Sequence, residues 1–188
     1  CVAGTSMGAL AAGAFAVGLD ADEIVAELDK ANWQDMFEDN PDYSNMNYRN
    51  KTISRAFLPG LEMGVSAKGV RSLPGVVDGE KIKLFFNQLV RANLGEQRIE
   101  RLGLPLSIIA TDIGTGEKVV FREGSLTKAM RASMSVPGLV APLDYQGRKL
   151  VDGGLVDNLP VVEARDRCQA DVLIAVNVGS PLLKAEEV

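Results

Sequence analysis

The sequence predicts an α/β domain in which helices pack on a mostly parallel central sheet. Two apolar runs, residues 104–112 and residues 171–178, have the composition of strands buried on both faces, which is typical of parallel sheets. Residues 78–93 carry the apolar stripe of an amphipathic helix. A Gly-Thr-Ser-Met-Gly stretch at residues 4–8 follows a short apolar run and precedes a run of small residues. That pattern indicates a strand, a sharp turn and a helix.

The Gly-x-Ser-x-Gly stretch predicts a nucleophile elbow with Ser6 at its tip. Gly4 and Gly8 are expected to flank the serine because nothing larger than hydrogen fits in so tight a turn. Backbone N–H groups at the start of the following helix would point at a developing oxyanion. The alternative is that Ser6 only turns a strand into a helix, or lies in a phosphate-binding loop.

Composition limits the chemistry that this elbow can perform. The chain has 188 residues, enough for one α/β domain, and a net charge of −5, which argues against nucleic-acid binding. It contains no histidine, so a Ser-His-Asp triad is excluded. The two cysteines, Cys1 and Cys168, predict neither a disulfide framework nor a metal-ligand cluster. No apolar run is long enough to span a bilayer, and no signal-peptide pattern is present.

Capping signals divide the first part of the chain into helices. The helix of small residues after the elbow is predicted to end at Gly18, a good C-terminal stop. Asp20 and Glu23 have the spacing of a capping box and predict the start of a second helix. The apolar residues expected to close that helix against the core are Trp33, Met36 and Phe37.

The middle of the chain mixes loop signals with one clear helix. Polar residues 38–51 predict a loop. Residues 53–75 combine apolar residues with helix breakers, a pattern compatible with a hairpin, a lid or a lipid-facing surface, of which we prefer the hairpin. Residues 78–93 predict a helix whose apolar stripe belongs to the core. That stripe consists of Ile82, Phe85, Phe86, Leu89 and Val90.

Strands dominate the prediction for the second half. The strand at residues 104–112 is followed by a glycine-rich turn and a returning strand at residues 118–121. Ser125 is expected to cap a helix that contains Leu126, Ala129 and Met130. A further strand at residues 148–151 ends at Asp152.

A carboxylate is the best available proton acceptor for Ser6, because the chain has no imidazole. Asp112 and Asp152 both follow predicted strands, and Asp157 lies five residues further on. Two glycines follow Asp152 and would let its backbone approach another turn closely, so Asp152 is preferred. The alternatives are that such an aspartate only caps a turn, or that Lys149 serves a Ser-Lys scheme.

Three blocks of the sequence together resemble the patatin-like phospholipases, lipid acyl hydrolases that use a Ser-Asp dyad. The blocks are the elbow at residues 4–8, Ala-Ser-x-x-x-Pro at residues 132–137 and Asp-Gly-Gly at residues 152–154. The continuation at residues 155–160 is similar to the bacterial branch related to neuropathy-target-esterase domains. The resemblance implies a three-layer α/β/α sandwich with Ser6 as nucleophile and Asp152 as base. The supporting motif residues are Ser133, Pro137, Gly153 and Gly154.

One motif of the family is not found in this sequence. Patatin-like enzymes carry a Gly-Gly-Gly-x-Arg-Gly oxyanion loop before the elbow, whereas this sequence begins at Cys1. We therefore expect one hydrolase domain over residues 1–188 that lacks an N-terminal segment. Only the Met7 N–H is then assignable to the oxyanion hole. Loss of one oxyanion donor typically lowers turnover by about a hundred- to a thousandfold, so this chain is expected to be a poor catalyst.

The resemblance also implies the reaction and its partners. We expect release of fatty acid from phospholipid or a related acyl ester through an acyl-enzyme, without a metal or another cofactor. A lipid substrate implies peripheral membrane contact, in the bacterial cytoplasm or in the cell envelope or outside it. Two alternatives share the fold: an acyltransferase that uses the same dyad, and a lipid-binding domain without catalysis.

Overall fold

A computed structural model describes residues 1–36, 63–66, 69–72, 75–77, 79–91 and 95–179. Its strands are β1 (Val2–Thr5), β2 (Met63–Ser66), β3 (Gly69–Ser72), β4 (Gly75–Val77), β5 (Leu106–Asp112), β6 (Lys118–Phe121), β7 (Gly138–Val140), β8 (Leu143–Tyr145) and β9 (Arg148–Asp152). Its helices are α1 (Met7–Ala16), α2 (Ala21–Asp29), α3 (Trp33–Met36), α4 (Glu80–Leu89), α5 (Leu126–Ser133) and α6 (Val161–Cys168). Short 3₁₀ turns occupy Ile99–Arg101 and Gly153–Leu155.

The main sheet is mixed, so the prediction of a mostly parallel sheet is wrong. Within the described residues, β1 pairs with β5 in parallel, while β5–β6, β5–β9 and β8–β9 are antiparallel. A short turn is the physical reason for the last of these pairs. Gln146 and Gly147 join β8 to β9 with φ angles of 49° and 79°, and two positive φ values are typical of a tight hairpin, which is always antiparallel. The broader prediction of an α/β fold is confirmed.

Strands β1 and β9 lie end to end along one edge of β5, with their carboxyl ends facing each other. Strand β1 pairs with residues 106–109 of β5, whereas β9 runs in the opposite direction and pairs with residues 110–112. Strand β6 overlaps both of these ranges, because it pairs with residues 108–111, so it must occupy the other edge. The carboxyl ends of β1 and β9 therefore meet where Ile109 and Ala110 lie next to each other.

The centre of the domain is β5, whose seven residues are all buried. Its alternate residues Leu106, Ile108 and Ala110 join the main hydrophobic cluster with residues of α1, α4 and α5. On the other face, the Ser107 hydroxyl donates to Glu163 of α6 at 2.7 Å. The prediction of a strand buried on both faces is thus confirmed here, while the three-layer sandwich stays a prediction.

Several local predictions agree with the structure. The Asp20–Glu23 capping box is present, with both hydrogen bonds formed, and Gly18 follows α1 with a φ of 101°. Four members of the α4 stripe are buried, and Phe85 packs against the same cluster. Strands β2 and β3 form an antiparallel pair, as the hairpin interpretation requires. The predicted loop at 38–51, Phe37 and most of 53–75 lie outside the described residues.

Other local predictions need correction. Trp33 and Met36 belong to the separate helix α3 rather than to the end of α2, which stops at Asp29. Helix α6 was not predicted, because its sequence is largely polar. Cys1 and Cys168 form one disulfide, which joins the start of β1 to the end of α6.

The strand predicted at residues 171–178 does not form. Residues 171–179 have no regular secondary structure, and the side chains of Val172, Ile174, Val176 and Val178 are between 71% and 87% exposed. The physical reason is that no strand among the described residues pairs with this segment. A strand without a neighbour buries little apolar surface and leaves its backbone groups to water. Among the described helices, none is long and apolar enough to cross a membrane.

Candidate active site

The elbow places Ser6 in an unusual backbone conformation between β1 and α1. Its φ is 55° and its ψ is −124°, values that a non-glycine residue adopts at a cost of about 1–3 kcal/mol. Gly4 is required, because a Cβ there would collide with the carbonyl of Gly8. Gly8 is different: a Cβ at this position would meet nothing within 4 Å, so the expectation that both glycines are sterically required holds only for Gly4.

The structure brings the two central predicted residues together. The Ser6 hydroxyl donates to Oδ2 of Asp152 at 2.6 Å. The other carboxylate oxygen, Oδ1, accepts a hydrogen bond from the backbone N–H of Gly154 at 2.7 Å. Asp152 is only 7% exposed. The Gly154 N–H therefore orients the Asp152 carboxylate through Oδ1, and Oδ2 faces the Ser6 hydroxyl.

The position of Asp152 depends on the end-to-end arrangement of β1 and β9. Asp152 pairs with Ala110, whereas Thr5, the residue before Ser6, pairs with the adjacent Ile109. Gly153 lies in the gap between the two strand ends, where a Cβ would collide with the Ile109 carbonyl and contact the Thr5 side chain. This glycine is therefore the close-approach position that the sequence predicted after Asp152.

Hydrogen bonds hold the backbone on both sides of the pair. The Asp152 N–H donates to the Ser135 carbonyl at 2.9 Å, and the Asp152 carbonyl accepts from the Thr111 hydroxyl at 2.9 Å. The Thr5 hydroxyl donates to the Asp157 carbonyl at 2.8 Å, which ties the elbow to the turn after β9.

Ser133 also contacts the elbow. Its hydroxyl accepts from the Ser6 N–H at 2.8 Å and donates to the Ile109 carbonyl at 2.6 Å. Pro137, from the same sequence block, is exposed in the turn between α5 and β7. The block thus places one of its two predicted residues at the elbow.

The first turn of α1 supplies backbone donors beside Ser6. A helix has no internal acceptors for its first N–H groups, and Met7 begins α1. The Ser6 N–H is already bonded to Ser133, and the Met7 N–H, the next along the chain, is one of the first-turn donors that lack an intrahelical acceptor. This geometry is compatible with the predicted assignment of Met7 to an oxyanion hole.

The rival candidates for the base have other partners. The Asp112 carboxylate accepts from the Gly114 N–H at 2.9 Å and so caps the turn after β5. Asp157 forms an ion pair with Lys118 at 3.0 Å. The Lys149 ammonium pairs with Asp144 at 2.9 Å on the surface. None of these three contacts involves Ser6.

A second polar cluster fixes α6 to the sheet away from the elbow. Arg122 donates two hydrogen bonds to Glu163, at 2.8 and 2.7 Å, and Ser107 donates a third. The hydrogen bonds from Arg122 lower the pKa of Glu163, and the Ser107 hydroxyl lowers it further. Burial opposes this effect, but the carboxylate stays the favoured form.

One cavity among the described residues lies apart from the Ser6–Asp152 pair, neither residue of which lines it. It has a volume of about 640 Å³ and lies between α4, α5 and Leu143. Its lining includes Lys83, Lys128 and Arg131. The elbow is therefore distinguished by its sequence motif and its hydrogen bonds, not by this cavity.

The fold is an α/β fold, and its candidate site pairs a serine hydroxyl with a buried carboxylate. The family model for patatin-like phospholipases matches residues 1–165, and the chain belongs to that family. The match extends from the elbow through the Asp-Gly-Gly block to most of α6.

Three similar proteins support the same family assignment. The chain is 32% identical over 179 residues to an uncharacterised NTE family protein of Mycobacterium tuberculosis, covering 95% of this chain but 40% of the relative. It is 41% identical over 96 residues to Lysophospholipase NTE1 of Saccharomyces cerevisiae, and 41% identical over 97 residues to mouse patatin-like phospholipase domain-containing protein 7. Those two matches cover half of this chain and 6% and 7% of the relatives.

Proposed function

We propose that this domain releases fatty acids from phospholipids or related acyl esters, with Ser6 as nucleophile and Asp152 as general base. The observation that carries the proposal is the 2.6 Å hydrogen bond from the Ser6 hydroxyl to Asp152 in a chain without histidine. Family membership supports a lipid hydrolase. The name of the yeast relative adds lysophospholipids to the substrate class that should be tested.

Acylation would begin with proton transfer from Ser6 to Asp152. The serine oxygen attacks the ester carbonyl, and the negative charge moves to the carbonyl oxygen, where the Met7 N–H can donate to it. When this intermediate collapses, the bond to the alcohol oxygen breaks. The alcohol leaves with the proton held by Asp152, and the acyl group remains on Ser6.

Deacylation would repeat these steps with water. Asp152 takes a proton from water as the water oxygen attacks the acyl carbonyl. Collapse of the second intermediate releases the fatty acid and returns the proton to Ser6. No step needs a group other than the two side chains, the backbone donors and water, so the proposal includes no metal or other cofactor.

Apolar side chains near the pair favour a lipid substrate presented at a membrane surface. Met7, Val136, Leu155 and Val156 are between 41% and 61% exposed. Each follows Ser6 or Asp152 closely in sequence, or adjoins Ser135, whose carbonyl binds the Asp152 N–H. Exposed apolar side chains mark a surface that meets lipid where they form one contiguous patch, and the proposal is that these four do so. The proposal therefore includes peripheral membrane contact around the site.

The experiment is fatty-acid release by the complete protein from phospholipid vesicles, lysophospholipid and a short-chain ester. Ser6→Ala is expected to lower kcat by at least about a thousandfold, because the nucleophile is lost. Asp152→Asn is expected to lower it by about a hundred- to ten-thousandfold, because the amide cannot accept the proton. A fluorophosphonate probe should label the wild type at Ser6 and leave Ser6→Ala unlabelled.

Asp112→Asn is the matched control, because it neutralises the rival carboxylate that caps a turn. It should retain activity within about threefold, since the amide oxygen can still accept from the Gly114 N–H and only the weak ion pair with Arg148 at 3.8 Å is lost. Full activity of Ser6→Ala or Asp152→Asn would reject the proposed site. Acyl transfer to an added alcohol in place of hydrolysis would identify an acyltransferase, and lipid binding without probe labelling would identify a non-catalytic domain.

A further inference from the structure

One short segment contacts the main chain of both Ser6 and Asp152. Ser133 is the last residue of α5, and its hydroxyl accepts the Ser6 N–H at 2.8 Å. Ser135, two residues later, accepts the Asp152 N–H on its carbonyl at 2.9 Å. The relative position of the two reactive side chains is therefore set partly by residues 133–135.

The Ser133 hydroxyl has a defined orientation. It carries one proton, which it donates to the Ile109 carbonyl at 2.6 Å. Its lone pairs are then directed to the Ser6 N–H. Ser133 is 0% exposed, so water does not compete for either bond. The hydroxyl thus acts as a fixed bridge from the elbow to the central strand.

The Ser6 backbone needs such a partner. Its φ of 55° is in the left-handed region, so β1 cannot simply continue through it. Ile109 is the residue of β5 that pairs with Thr5, immediately before the elbow. The Ser133 bridge therefore continues the contact between β1 and β5 by one residue, beyond the last position that ordinary strand pairing can hold.

Ser135, at the other end of this segment, is also held by hydrogen bonds. The guanidinium of Arg131 donates to the Ser135 hydroxyl, which donates in turn to the Arg131 carbonyl at 2.8 Å. Ser135 is 0% exposed. Because Ser135 is fixed in this way, its carbonyl is a stable acceptor for Asp152.

We infer that Ser133 is a positioning residue for the reaction proposed above: its buried hydroxyl holds Ser6 at hydrogen-bonding distance from Asp152. The inference rests on the proposed function, and it assigns a role to the Ala-Ser-x-x-x-Pro block. Ser133 contacts only the backbone of Ser6, so its effect on the reaction is exerted through the placement of the nucleophile.

The test is Ser133→Ala in the complete protein. Removal of the hydroxyl frees the elbow to relax away from Asp152, and a displacement near 1 Å can lower turnover by about a hundredfold. We expect kcat to fall by about that factor. KM should change by less than about threefold, because the substitution leaves the exposed apolar side chains around the site unchanged. The rate of fluorophosphonate labelling at Ser6 should fall in parallel with kcat.

Ser107→Ala is the matched control. Ser107 is 1% exposed on β5, and its hydroxyl also donates a buried hydrogen bond, but to Glu163 rather than toward the elbow. Ser133→Ala loses two hydrogen bonds of a buried hydroxyl and Ser107→Ala loses one, so both should lower Tm by a few degrees. Only Ser133→Ala should also lower kcat; a purely structural role for Ser133 predicts that the two variants behave alike.

Two further variants cover the possibility that Ser133→Ala does not fold. Ser133→Thr retains the hydroxyl and should keep the labelling rate within about tenfold of the wild type. Ser133→Cys keeps a side chain of similar shape, but its sulfur is a weak acceptor for the Ser6 N–H and its S–H a weak donor, so it should label at least about tenfold more slowly. A wild-type labelling rate in folded Ser133→Ala or Ser133→Cys overturns the inference. Activity that survives in Ser6→Ala instead overturns the proposed function, so the two failures are distinguishable.

Discussion

Two apolar segments of this chain have similar sequences and opposite environments. Strand β5 reads Leu-Ser-Ile-Ile-Ala-Thr-Asp and is buried at every position. Residues 172–178 read Val-Leu-Ile-Ala-Val-Asn-Val, yet they form no strand, and the side chains of Val172, Ile174, Val176 and Val178 are more than 70% exposed. Apolar and β-branched composition predicts both as buried strands, but it describes only the first correctly.

The difference lies in the neighbours of each segment. Strand β5 has β1 and β9 on one edge and β6 on the other, with the main hydrophobic cluster against one face. Residues 171–179 have no strand partner in the described part of the chain. A strand is stabilised by cross-strand hydrogen bonds and packing, so its composition predicts a tendency that only a partner converts into structure.

The largest expected effect on stability comes from replacing one isoleucine by alanine in each of the two segments. Ile108→Ala should lower the free energy of unfolding by about 2–5 kcal/mol, because it leaves a cavity in the main cluster. Ile174→Ala should change it by less than about 0.5 kcal/mol, because the side chain is 85% exposed. Urea unfolding followed by circular dichroism measures both. Equal losses would mean that residues 171–179 are packed against protein.

The pairing of Ser6 with Asp152 was predictable, but its structural origin was not. The sequence predicted that both residues lie at the carboxyl ends of strands in a mostly parallel sheet. The structure instead brings them together because β9 is antiparallel and ends where β1 ends, against the same edge of β5. The Gln146–Gly147 turn was the available signal for strand direction, since it indicates a hairpin.

The next largest effect concerns Glu163, which holds α6 against β5. Helix α6 precedes residues 171–179. Glu163→Gln should lower the free energy of unfolding at pH 7 by about 1–2 kcal/mol, because it removes charge-assisted bonds from a half-exposed Arg122. The folded pKa of Glu163 is depressed below 4.5. Its stabilisation is therefore complete above that pH and is lost as pH falls through the folded pKa.

The pH series supplies the sharper measurement for this variant. Urea unfolding at pH 7 and at successive values below 4.5 should show the wild type converging on Glu163→Gln. Glu27→Gln is the control, because it breaks the exposed pair with Lys30 and should change stability by less than about 0.5 kcal/mol. A difference between wild type and Glu163→Gln that is independent of pH would contradict a role for the charge.

The long-range polar contacts, both in the Glu163 cluster and at the elbow, could not be predicted from the sequence for a common reason. Glu163, Arg122 and Ser107 come from three separate elements, and no spacing rule connects them. Ser133 was singled out only as part of a motif, and its bridge to Ser6 spans 127 positions in the chain. Local patterns identify reactive residues and caps, whereas long-range partners of a buried hydroxyl become visible only when the strands are in register.

The smallest expected effect concerns residues 171–179 alone. Val176 is 71% exposed, so Val176→Lys places an ammonium in water and should change the free energy of unfolding by less than about 0.5 kcal/mol. The same change interrupts an exposed apolar segment of high β-propensity, which is a template for association between chains. We therefore expect static light scattering at high concentration to fall in the variant while urea unfolding stays unchanged. A loss of more than about 1 kcal/mol would contradict the exposed position, because a lysine destabilises strongly only where it must be buried.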